Sequence, residues 1–313
     1  MRAQIAVYAV LAALALVAPF LGLYPVFLMK LLCFAMFACA FNLLLGFTKM
    51  LSFGHAAYFG SSAYITGWLV TAHGWGTIEG ILGGVLVAML LGLVIGAIAV
   101  RRQGIYFAMI TLALAQLVFF VCLQADFTGG ENGLQGIPRG SIFGLVGLGN
   151  DRIMYYFVLA VFLAVYLLIR RIVHSPFGQV LKAIRANEPR SVSLGYKVDR
   201  YKLMAFVLSA TLSGLAGSLK ALVLGFATLS DVSQNNSGEV ILMTLLGGSG
   251  TFLGPVIGAN VVVTLQEYLS DIVGAWVSVI IGAIFVVCVL IFRRGFVGEI
   301  QRRFAQRAAQ RAA

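Results

Sequence analysis

Apolar residues run along this chain in long blocks separated by short polar intervals, and block length, not alternation, is what predicts the secondary structure. A helix needs about 20 predominantly apolar residues to cross the hydrocarbon core of a bilayer. Blocks of that size lie near residues 4–23, 26–47, 51–72, 81–100, 104–123, 153–171, 203–225 and 272–292. One further block, near 240–266, is interrupted by glycines. The longest polar intervals, 124–151 and 170–202, leave no room for an appended soluble domain. The pattern predicts an all-α polytopic integral membrane protein, a single transmembrane domain over 1–313, with about 8–10 transmembrane helices and at least one broken or re-entrant segment.

Basic residues set the expected orientation. Arg2, Lys49, Arg101, Arg102, Arg170, Arg171, Arg293 and Arg294 flank the blocks and should face the cytoplasm. Glu79, Asp126, Glu131 and Asp151 then fall outside, with Arg139 as the exception. Threading the chain this way fails by one crossing at 240–266, where an ordinary helix would leave the basic tail 293–313 outside. The segment GGSGTFLGPVIG, Gly247 to Gly258, offers the repair, because glycine and proline this dense weaken a helix. Two short half-helices meeting there would leave on the side they entered. Irregular backbone at membrane depth must be buried in protein or line water, so Gly247, Gly248, Gly250, Gly254 and Pro255 become candidates for a translocation pathway. Close helix packing is the competing reading, since Gly250, Gly254 and Gly258 keep the i, i+4 spacing of packed helices.

A second interrupted stretch, LSFGHAAYFGSSAYITG from Leu51 to Gly67, adds Ser52, Gly54 and His55 to the pathway candidates. Paired interruptions in two halves of a transporter point to a midplane site. For His55, a hydrogen bond between helices competes with contact to a solute. The first block, Gln4 to Leu23, follows Arg2 but lacks a small-x-small cleavage site and is expected to be a retained helix.

Composition narrows the class. The chain is 61% hydrophobic and 11% charged, with mean hydropathy +0.99, against about 25% charged in soluble domains. Its solvent is therefore lipid. The net charge of +11 gathers at block ends, in one central loop and in the tail, which argues against nucleic acid. Cys33, Cys39, Cys122 and Cys288 sit in apolar stretches without metal-ligand spacing. No phosphate-cradling G-x-x-x-x-G-K-[ST], G-x-S-x-G or H-E-x-x-H occurs. No catalytic residue, metal site or cofactor of its own is expected in this chain. Lys30 and Lys220 read as snorkelling side chains, and the acidic residues can all be placed at loops or block ends. Little remains to drive an ion-coupled carrier.

The most informative polar interval is the loop 172–201, read on the segment HSPFGQVLKAIRANEPRSVSLGYKVDRYK, His174 to Lys202. Ser175 and Pro176 make an N-cap and N1 pair for a helix running to about Asn187. Pro189 opens a second short turn that Gly195 can close. Two short helices too polar to insert make a cytoplasmic knob to which a partner could dock.

The segment SPFGQVLKAIRANEPRSVSLG resembles the cytoplasmic coupling loop of bacterial ABC-importer permeases. LLLGFTKMLSFGHAAYFGSSAY, RRQGIYFAMITLALAQ, FTGGENGLQGIP and LGGSGTFLGPVIGA resemble the branched-chain amino acid permeases of the LivM type, in that family's order and from about residue 40 to 297. The resemblance implies a permease subunit of the inner membrane, with both termini cytoplasmic. It further implies a second related permease subunit, two cytoplasmic ATPase subunits that bind the ATP, and a periplasmic substrate-binding protein. It also implies that the loop around Gly178, Arg185, Ala186 and Glu188 contacts the ATPases. Branched-chain amino acids are the expected cargo. The alternatives are urea, short amides or aromatic acids carried by a related ABC permease, or a stand-alone secondary carrier.

Overall fold

The computed structural model describes residues 16, 18–20, 24–142, 146–291 and 295. The block 4–23 and the tail 293–313 fall almost wholly outside these residues. Each remaining block becomes helix. Helix α1 spans Pro25–Thr48, α2 His55–Ala72, α3 Thr77–Ala99, α4 Ile105–Gln124 and α5 Asp151–His174. The central loop forms α6, Pro176–Ala186, and α7, Glu188–Ser193, before α8, Val198–Leu224. A short α9, Leu229–Val232, precedes α10, Gln234–Gly247, α11, Gly254–Val273, and α12, Val277–Ile291. Five of these, α1, α3, α4, α5 and α8, are long and apolar enough to cross a membrane.

Local chemistry sets the ends. Pro25 starts α1 in the first turn, where its missing N–H costs no hydrogen bond. The helix stops on Lys49, whose backbone turns left-handed at φ +60° while its N–H still reaches Leu45 O at 3.2 Å. Asn150 caps α5 by accepting from Arg152 N at 3.0 Å. Gly225 closes α8 at φ +75°.

Helices α1, α2 and α8 form the buried centre, and α3, α4 and α5 flank it. Lipid gives no hydrophobic drive to helix pairing, so small residues and interhelical hydrogen bonds hold the centre together. Gly217 lies directly on the carbonyl of Phe59, and Gly214 sits against Ala88 and Ser62. Ser218 Oγ is 2.5 Å from Ser62 Oγ and accepts from Thr66 Oγ1 at 2.8 Å.

The end of the bundle carrying Lys49, Arg102 and α6 is called here the basic end. At the opposite end, residues 125–142 and 146–150 lie over the helices. Leu134–Gln135 pair antiparallel with Phe226–Ala227, and Ile137 N donates to Gly225 O at 2.9 Å. Arg139, the exception to the charge pattern, is held there by Asp151 and by Val223 O at 3.1 Å.

Two expectations change. Lys220 does not snorkel: it is buried, 2.7 Å from Asp231 Oδ2 and 4.5 Å from the Phe226 ring centroid. Lys30, near the Pro25 end of α1, pairs with the exposed Glu267 at 2.5 Å, which is compatible with a snorkelling side chain. The glycine-rich segment is not two short half-helices. Its second arm, α11, has 20 residues, about 30 Å at helical rise and enough to cross. The break itself is present, between Gly247 and Gly254.

Candidate functional site

The loop knob is built as the caps require. Ser175 Oγ accepts from Gly178 N at 3.4 Å, and Pro176 occupies the first turn of α6. The second helix starts one step earlier than Pro189 suggests: Asn187 Oδ1 caps α7 by accepting from Arg190 N at 3.1 Å. Gly195, at φ +86°, ends the turn after α7. Leu181 and Ile184 bury the inner face of α6, while Ala186 is exposed at its end. On the outer face Val192, Leu194 and Tyr196 are exposed, Leu194 to 69%.

Gly178, Arg185 and Glu188 all face inward. A Cβ at Gly178 would meet the carbonyls of Ile172 and Val173, so the close approach there is to the end of α5. Arg185 Nη1 donates to Gly46 O on α1. Glu188 Oε1 accepts from Lys202 Nζ at 2.5 Å and from Gln103 Nε2 at 2.7 Å, which ties α7 to α8 and to the α3–α4 corner. A cavity of about 500 Å³ opens beside this brace, and Lys49, Arg102, Arg185, Glu188 and Lys202 are among its lining side chains.

The glycine turn meets the knob. A Cβ on Gly250 would come 2.7 Å from Arg185 Nη1. Asn42 holds the turn from α1, accepting from Gly250 N at 2.9 Å and donating to Thr251 O at 2.9 Å. Gly248 and Gly250 have φ of +115° and +83°, backbone that favours glycine. Gly247 abuts the Gly254 carbonyl and Gly258 abuts that of Met243, so α10 and α11 close as an antiparallel hairpin. Pro255 lies in the first turn of α11. Break and close packing thus coexist, and the turn lies within three turns of the Thr48 end of α1, displaced toward the basic end.

Ser52, Gly54 and His55 are enclosed by neighbouring helices. Ser52 Oγ accepts from Gly54 N at 3.3 Å, and a Cβ on Gly54 would lie 2.6 Å from Thr111 O. His55 Nε2 is 2.9 Å from Ser209 Oγ, and edges of Phe41, Tyr58 and Phe206 surround its ring. The structure therefore joins the loop to the glycine turn, and it brings Phe53 to the cavity that Arg185 and Glu188 line, while Ser52, Gly54 and His55 pack among the helices. Asn42 and Lys202 are the partners that sequence reasoning missed. An asparagine inside the apolar block 26–47 was the available signal for the first.

A family model described as the branched-chain amino acid transport system / permease component matches residues 23–289. The high-affinity branched-chain amino acid transport system permease protein LivM of Escherichia coli (strain K12) is 30% identical over 255 residues, 74% of this chain. The matched stretch spans 60% of that relative's length. A probable branched-chain amino acid transport permease protein LivM of Methanocaldococcus jannaschii is 26% identical over 193 residues, 59% of this chain and 55% of that protein. The autoinducer 2 import system permease protein LsrC of Salmonella typhi is 26% identical over 219 residues, covering 66% of this chain and 62% of its own.

Proposed function

Because this chain belongs to the branched-chain amino acid transport permease family, we propose that it is the membrane-spanning subunit of an ATP-driven importer, carrying branched-chain amino acids across the bacterial inner membrane. In this reading the basic end is cytoplasmic, both termini lie on that side, and residues 124–151 face the periplasm. Two ATPase subunits bind the ATP and dock on the 175–195 knob. A second related permease completes the membrane unit, and a periplasmic binding protein delivers the solute. The chain itself holds no cofactor and performs no covalent chemistry.

The observation that carries this reading is the knob. It presents Val192, Leu194 and Tyr196 outward while Arg185 and Glu188 brace it to α1 and α8. An exposed apolar patch on a rigid support suits docking, and a push on it has a direct mechanical link into the membrane helices. The similarity to LsrC, a permease named for autoinducer 2, makes the cargo the part most in need of a test.

That test is uptake into proteoliposomes holding this chain with its ATPase, partner-permease and binding-protein subunits. Leucine, isoleucine and valine should enter only while ATP is hydrolysed. Uptake without the ATPases would make the chain a solitary carrier. ATP-driven uptake of an amide or an aromatic acid, with leucine refused, would keep the mechanism and change the cargo.

A further inference from the structure

The segment between α8 and α11 exposes a polar face inside the membrane layer. Helix α9 ends at Ser233, whose extended backbone, ψ 154°, separates it from α10. Around that break Ser230, Gln234 and Asn235 are exposed, whereas Val232, Asn236 and Ser237 are buried.

Contacts fix the depth of this face. Ser237 Oγ accepts from Ala56 N at 2.9 Å. The adjacent His55 is bonded to Ser209, whose hydroxyl donates to Ala40 O at 2.6 Å. Ala40 lies about 12 Å from the Thr48 end of α1 and about 22 Å from its Pro25 end, at helical rise. On the other side of the break, a Cβ at Gly60 would stand 2.7 Å from Val232 N. The break is therefore well inside a hydrocarbon layer about 30 Å thick.

Lipid cannot be its neighbour. At comparable depth the exposed positions of α3, α4 and α5 are apolar, as at Leu90, Leu117 and Leu163. Amide side chains and a broken backbone find no hydrogen-bond partner among acyl chains, and such backbone persists only where protein buries it or water lines it. Glutamine and asparagine carry both donors and acceptors and no net charge. They can bond the ammonium and the carboxylate of an amino acid in turn without trapping either, as a passage site must.

We propose that Ser230, Gln234 and Asn235 line the water-filled route of the solute, and that the two amides hydrogen-bond its polar groups as it passes. This rests on the transport reading given above.

The experiment uses the assembled transporter in vesicles, with Cys33, Cys39, Cys122 and Cys288 replaced and single cysteines introduced by Gln234→Cys, Asn235→Cys and, for comparison, Leu90→Cys. A hydrophilic methanethiosulfonate should modify Q234C and N235C many-fold faster than L90C, and excess leucine supplied with the binding protein should slow it. Asn235→Leu should lower uptake about tenfold, the worth of one hydrogen bond, with the amount of assembled complex unchanged, and Asn235→Ser should retain most of it. Slow labelling of both cysteines in a complex that still imports leucine would overturn the proposal and leave the transport reading intact. Fast labelling that leucine never slows would overturn the solute contact. A complex that imports no leucine defeats the transport reading instead, and the labelling rates still decide whether the face is wet.

Discussion

Glu188 lies against Lys202 and Gln103, so its charge is satisfied within the chain and not at the outer surface of the knob. Glu188→Lys should set two like charges together and loosen α7 at a cost of about 1–3 kcal/mol, because Glu188 is only partly buried. ATPase retention should fall with it. The exchanged pair Glu188→Lys with Lys202→Glu should recover both the unfolding midpoint and ATPase co-purification. No recovery would mean that residue 188 touches a partner directly. Lys220→Met should cost about 3–5 kcal/mol by leaving Asp231 buried and unpaired, a loss readable as a lowered unfolding midpoint in detergent. Asp231→Asn in that background should return part of it. The Ser175 cap was legible because a capping residue acts on its own next turn. The Lys220–Asp231 pair was not, since the two residues meet only after the chain reverses past Gly225.

Long apolar helices follow from length and apolarity alone, which is why α1, α3, α4, α5 and α8 sit where the blocks lie. The glycine run announced a break, but its depth depends on which side chains grip it, and Asn42 and Arg185 come from distant parts of the chain. The polar run from Ser230 to Gly238 is compatible with a break near Ser233, but it does not tell that the break lies at membrane depth, because that depth is fixed by contacts with α2. Gly258→Leu should part the α10–α11 hairpin, with overpacking against the Met243 carbonyl costing about 1–3 kcal/mol or more. Thermal unfolding should register it. Gly250→Leu meets both a left-handed backbone and Arg185. It should abolish ATP-driven uptake while the protein still inserts and still binds its ATPases, and normal uptake would show that the turn is a passive connection.

Over the whole molecule, the chain ascends through α8, returns by α9 and α10 to the basic end, ascends in α11 and descends in α12. Two passes joined at the glycine turn are what a cytoplasmic tail, as proposed above, would require. Single cysteines at Gln135 and Gln179, both exposed, should report opposite sides. In intact cells an impermeant maleimide should label Gln135→Cys and spare Gln179→Cys, and the reverse would invert the topology. The bonds at the basic end have one more consequence. Arg185 on Gly46 O, and Asn42 on Gly250 N and Thr251 O, each end on a main-chain atom. In the proposed cycle, thrust arriving at α6 would pass through the Arg185 and Asn42 side chains to main-chain atoms of α1 and of the glycine turn. Helix α1, packed against α5, α8 and α11, would there act as a strut that carries the motion of α6. Spin labels on α6 and α1 should keep a fixed separation through the ATP cycle, while the distance from either to α3 changes.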